Sequence, residues 1–143
     1  MSKFDKVLEW PNRRPTVGDL IGSWSVYVFE MASDMRDFTS EVIGDFGYHD
    51  YVGALFARIF VEQAVAEVSI TPDDVEHHLI RTIDEYFRSL TRDDPGGVVI
   101  KSEPDFERYA QDPKYWWLRR IPRDGALGYE VSRVARAQAD LKF

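Results

Sequence analysis

The chain has 143 residues, 44% of them apolar and 14% aromatic, a composition that builds one globular core and excludes a disordered polymer. It has no cysteine, which removes disulfide frameworks and thiolate metal sites. The net charge of −7 is unevenly spread: residues 1–113 hold 11 Lys and Arg against 22 Asp and Glu (−11), and residues 114–143 hold 7 against 3 (+4). An acidic body with a basic tail disfavours nucleic acid and favours a basic protein partner.

Residues 1–15 are expected to form an irregular arm. Trp10-Pro11 is restricted away from helix and Pro15 ends the segment, while Phe4, Val7, Leu8 and Trp10 are apolar enough to dock back onto the body. The chain opens on no apolar signal-like run. No stretch approaches the roughly 18 consecutive apolar residues of a membrane span, so a cytoplasmic protein without a membrane partner is expected.

Residues 16–143 are expected to fold as a single helical domain. Its first element carries one heptad register: Val17, Ile21, Trp24, Val28, Met31, Met35, Phe38 and Val42, with steps alternating between four and three. That spacing puts all eight on one stripe of a helix, which must be buried against other helices or a partner. Thr16 is the expected N-cap, with Asp19 completing a capping box. Gly18 and Gly22 lie beside the stripe, where small residues let another helix approach. The segment Trp24–Phe29 is rich in strand formers, but a strand would leave Met35, Phe38 and Val42 unexplained. The helix should run to about Ile43 and stop at Gly44 or Gly47. A homodimer through this 17–42 helix is one consequence of its length.

A second helix is expected over about 51–68, capped by Asp50 after a Gly44–Gly47 turn, with a wide apolar face of Val52, Leu55, Phe56, Ile59, Phe60 and Val65. It should be the most buried. A third helix over 72–90 starts at Thr71-Pro72-Asp73-Asp74, with Thr71 capping and Pro72 at the first helical position. Val75, Leu79, Ile83, Tyr86, Phe87 and Leu90 form its expected stripe. Residues 91–97 follow as a long loop. Beyond them, Val98–Ile100 is expected as an edge strand, 104–111 as a short helix, and Tyr115–Ile121 as either a strand or helical turns. Pro122–Gly125 is a turn, and about 130–141 a last helix. The whole is mainly α, a bundle of four to five helices with a small β element in the C-terminal third; α+β is the alternative class.

Signals for chemistry are sparse. The histidines are His49, His77 and His78, and adjacent residues on a helix point about 100° apart, so His77 and His78 do not converge on one metal. The Glu62/Glu67 and Asp84/Glu85 groups lack the Glu-Glu-x-x-Glu and Glu-x-x-Asp spacing with which helical nucleotide pyrophosphohydrolases hold magnesium. No phosphate loop, dinucleotide fingerprint or nucleophile elbow occurs, so no cofactor, metal or catalytic residue is assigned. The sharpest surface candidate is the basic aromatic segment of Tyr115, Trp116, Trp117, Arg119 and Arg120, residue types that concentrate binding energy in protein interfaces. It either contacts a protein partner or covers the core while its arginines pair with the acidic body.

The expected function is that of a small acidic cytoplasmic protein-binding protein, of inhibitor, immunity or antitoxin type, that occludes a basic protein partner. On that expectation Trp117→Ala or Arg120→Ala weakens capture and leaves the fold intact. The alternative is a helical enzyme or ligand-binding domain, divalent-metal-dependent, with Glu62, Glu67, Asp74 and His77 around a pocket between helices 51–68 and 72–90.

Overall fold

The computed structural model describes residues 2–36, 46–123 and 125–141. Among them the chain is mainly helical, with one small antiparallel sheet. The helices are α1 (Val17–Arg36), α2 (Tyr48–Glu67), α3 (Val75–Leu90), α4 (Val98–Ser102), α5 (Glu107–Ala110) and α6 (Ala126–Asp140). The strands are β1 (Thr91–Asp93) and β2 (Arg120–Pro122), paired with Thr91 opposite Pro122 and Asp93 opposite Arg120.

The heptad register of α1 does what its spacing requires. Val17, Ile21, Trp24, Val28 and Met31 are all buried, and Met35 packs partly against the same core. Phe38 and Val42 lie outside the described residues. The expected capping box is present: the Thr16 amide donates to Asp19 at 2.9 Å and the Asp19 amide donates to Thr16 Oγ1 at 3.0 Å. The described stripe is therefore covered within the fold and is not a free dimer surface. Gly22 faces open space and Gly18 faces Phe4 of the arm, so neither admits a second helix. The close approach is on α2 instead, where Gly53 lets the Tyr27 ring lie directly over the backbone; an added Cβ would sit 2.8 Å from the Tyr27 hydroxyl.

Nine α2 side chains are buried, against four each in α3 and α6, so α2 is the central element. It starts three residues before the expected boundary, at Tyr48. Asp50 accepts from the Gly47 amide at 3.0 Å from inside the first turn, so Gly47 and not Asp50 is the cap residue.

The stripe of α3 is rotated from the expected one. Glu76, Ile80, Ile83 and Phe87 face inward, while Val75 is 59% exposed and Leu79 41% exposed. The polar residue at 76 conceals this face from an apolar count. Its carboxylate accepts from Ser2 Oγ at 2.7 Å and from the Phe4 amide at 3.0 Å, so it is buried to hold the arm. The helix also starts later than Pro72. Asp74 takes the cap position and its carboxylate accepts from the Thr71 amide at 2.7 Å, which closes 71–74 into a turn.

Two further expectations change in the C-terminal third. Thr91–Asp93 is a strand and not the start of a loop. Val98–Ile100 is helical and not an edge strand, because Asp94 is buried with its carboxylate accepting from the Val99 amide at 3.3 Å, and Gly97 enters the helix with left-handed backbone (φ 61°). Tyr115–Ile121 combines both alternatives, a 3₁₀ turn at Trp116–Arg119 and then β2. The last helix begins at Ala126, and its buried Leu127, Gly128, Val131 and Ala135 seat it over the end of β2.

The arm is more ordered than expected. A 3₁₀ turn (Lys3–Asp5) leads into a hairpin with bridges Val7–Thr16 and Trp10–Arg13. Leu8 is buried and Phe4 and Trp10 pack on the core, while Val7 stays exposed. No described helix is long and apolar enough to cross a membrane.

Candidate functional site

The basic aromatic segment divides in two. Trp117 has 0% exposure; its Nε1–H donates to the Leu55 carbonyl at 3.2 Å, and the Arg58 guanidinium lies 4.3 Å from its ring centroid. Arg120 is committed to the fold as well. It donates to Thr91 Oγ1 at 3.0 Å, to the Thr91 carbonyl at 2.9 Å and to the Arg88 carbonyl at 3.0 Å, and it pairs with Asp93 at 2.7 Å. It thereby adds side-chain hydrogen bonds to the Arg88 and Thr91 carbonyls where α3 passes into β1. The expectation that Trp117→Ala and Arg120→Ala would spare the fold is therefore corrected. A sealed indole presents no surface, and Arg120 stitches α3 to the sheet.

Tyr115, Trp116 and Arg119 line an open cleft of about 380 Å³, together with Arg88, Asp93, Gln111–Pro113 and the anchored Arg120. Trp116 is held by its position in the 3₁₀ turn, its ring tilted against Phe87 (centroids 6.1 Å apart) and the Arg88 guanidinium 3.6 Å from its centroid. Arg119 donates to the Ala110 carbonyl at 3.2 Å. Among the described residues neither Arg88 nor Arg119 has a carboxylate partner, although the whole chain is acidic. Burial pushes the Tyr115 phenol above its usual range, so it stays a neutral donor at physiological pH. A second hollow of about 180 Å³ beside Gly96, Gly97 and Lys101 shares Ala110, Gln111 and Arg119, which extends the cleft into a groove.

The sequence missed Arg88. Its spacing marks it only as an exposed α3 residue, and the chain returns Trp116 beneath it 28 positions later; no local pattern encodes that pair.

The four residues of the alternative pocket do not converge. Glu62 accepts from Arg58 Nη1 at 3.2 Å, Glu67 accepts from Trp10 Nε1 at 3.1 Å, and Asp74 pairs with Lys3 at 2.7 Å. His77 Nδ1 is buried without a hydrogen-bond partner among the described residues. The space between α2 and α3 is filled by Arg58, whose Nε and Nη2 bind the two oxygens of Asp84 at 2.8 and 2.9 Å. Trp24 Nε1 adds a third hydrogen bond to Asp84 at 3.0 Å. No three His, Asp or Glu among the described residues are grouped to hold a metal ion.

No protein-family model matches this chain, and comparisons with curated proteins and with solved structures likewise find no match.

Proposed function

We propose that the protein is a binding protein that occludes a macromolecular partner, in the manner of an inhibitor, immunity protein or antitoxin, with the Tyr115–Trp116–Arg119 cleft as its contact. The observation that carries this is the open Arg88–Trp116 stack beside Arg119, two arginines without carboxylate partners among the described residues of a chain of net charge −7. Trp, Tyr and Arg at the centre of a concave patch are the side chains that anchor protein interfaces. The acidic body speeds encounter with a partner of basic overall surface, and the cleft arginines fix its orientation on a carboxylate or carbonyl of that partner. An intracellular, cytoplasmic setting belongs to the same proposal.

The test compares capture by the wild-type chain with capture by Trp116→Ala and by an Arg88→Glu/Arg119→Glu pair, from an extract of the encoding organism. The expected result is one protein retained by the wild type, released by raised salt and lost from both variants while their melting temperatures stay within a few degrees. Identical retention by all three chains would overturn the assignment of the cleft.

A further inference from the structure

The hairpin of the N-terminal arm does not lie flat on the helices. Between it and α2 runs a groove of about 540 Å³ lined by Trp10, Pro11, Arg13, Phe60, Gln63 and Glu67. It continues through Arg13 and Phe60 into an inner hollow of about 240 Å³ between α1 and α2, bordered by Ser23, Tyr27, Gly53 and Phe56. The floor follows from the spacing on α2: Phe56, Phe60, Gln63 and Glu67 step by four, three and four, one stripe that α1 leaves uncovered. Gly53 seats the Tyr27 ring against α2, and the small Ser23 borders the hollow beside it.

The charges at this groove are unequal. Arg14, next along the hairpin, pairs with Glu9 at 2.9 Å. Among the described residues Arg13 has no such partner. Its guanidinium lies 4.9 Å from the Phe60 centroid and 5.6 Å from that of Trp10, and among the described residues its donors make no hydrogen bond. Glu67, the groove's own carboxylate, is turned to Trp10, whose Nε1–H approaches its two oxygens at 3.1 and 3.3 Å. The Phe56, Phe60 and Trp10 rings, with Gln63, Glu67 and one cation whose donors bind no described residue, match the make-up of a small-molecule site, apolar surface with a few polar groups.

We propose that this groove binds an amphipathic organic anion, a flat aromatic body carrying one carboxylate or sulfonate. The rings of Phe60, Phe56 and Tyr27 take the apolar body. Arg13, whose planar fork matches a carboxylate in two hydrogen bonds, takes the anionic end. The site is separate from the Trp116 cleft and does not depend on its role.

Anilinonaphthalene sulfonate, followed by its fluorescence, is the probe, with naphthoate and the neutral naphthamide as competitors. The expected result is saturable binding displaced by naphthoate and not by naphthamide, weakened about tenfold in Arg13→Gln and unchanged in Arg14→Gln. Backbone amide shifts on titration should gather at Tyr27, Phe60 and Gln63. Where Arg13→Gln lowers the melting temperature, Ser23→Phe, which fills the inner hollow and leaves Arg13 in place, should abolish binding. Absence of saturable binding, equal displacement by the neutral amide, or amide shifts gathered at Trp116 and Arg119 would each overturn the proposal.

Discussion

Trp116 and Trp117 are neighbours in the chain, each lies under an arginine, and their surroundings are opposite. Trp117 and Arg58 are sealed: the indole is fully buried, and the guanidinium is held by Asp84, Glu62 and the ring. Trp116 and Arg88 stand at the surface, closer together at 3.6 Å, with no carboxylate among the described residues to neutralise the charge. The same two residue types thus serve as a structural brace and as an open face one position apart. What separates them is the acid supplied by α3: Asp84 binds Arg58, whereas Arg88 has no carboxylate partner among the described residues.

A large effect should come from removing that acid. Asp84→Ala leaves buried Arg58 with Glu62 as its remaining carboxylate among the described residues, and leaves Trp24 Nε1 without its acceptor, which should cost about 3 kcal/mol in chemical denaturation. The double variant Arg58→Met/Asp84→Leu should recover most of the loss, since an apolar pair of similar volume needs no counter-charge. If the double variant is as unstable as the single, the brace is specific and not a matter of charge balance.

Truncating the rings sharpens the same contrast. Trp117→Ala should cost about 3–5 kcal/mol through the cavity it leaves and lower the melting temperature by about 10 °C or more. Trp116→Ala should cost about 1 kcal/mol, because much of its contact is with a solvated arginine. Comparable losses for both would erase the distinction between brace and open face.

The smallest effect concerns Glu76, which is more buried than Asp84 and faces a neutral hydroxyl and backbone amides. Burial works against its charged form, yet hydrogen bonds from Ser2 and from the amides of residues 3, 4 and 76 hold its carboxyl below its ordinary value of 4.5. Ionisation is thus favoured more in the folded chain than in the unfolded one. The resulting stability is fully present above pH 4.5 and is lost as pH falls through the lower folded value. Glu76→Gln should flatten the acid limb of a melting-temperature-against-pH curve; an unchanged limb would show that other carboxylates set it.

Much of this architecture is legible in the sequence where one residue type has one physical use. The α1 register and its Thr16–Asp19 box appear in the structure as their spacing demands, and the mainly α class with a small sheet follows from the same periodicities. The departures occur where a polar residue does core work. Glu76 rotates the α3 face, Asp94 turns an apolar tripeptide into helix, and Arg120 becomes a clamp. Each depends on partners 5 to 74 positions away, which hydrophobic spacing does not encode. The candidate site was half legible for the same reason: Tyr115, Trp116 and Arg119 line the cleft, whereas Arg88 is brought there only by the tertiary fold.

The seating of α6 leaves a mark by which relatives of this chain can be tested. At Gly128 the helix backbone lies so close to the preceding turn that any added carbon would press on the Arg123 carbonyl and come within 2.9 Å of that of Pro122. A homologous sequence with alanine or anything larger at this column must have shifted its final helix outward. Glycine there, aligned with glycine over the Tyr27 ring, would signal shared geometry even where overall identity has decayed.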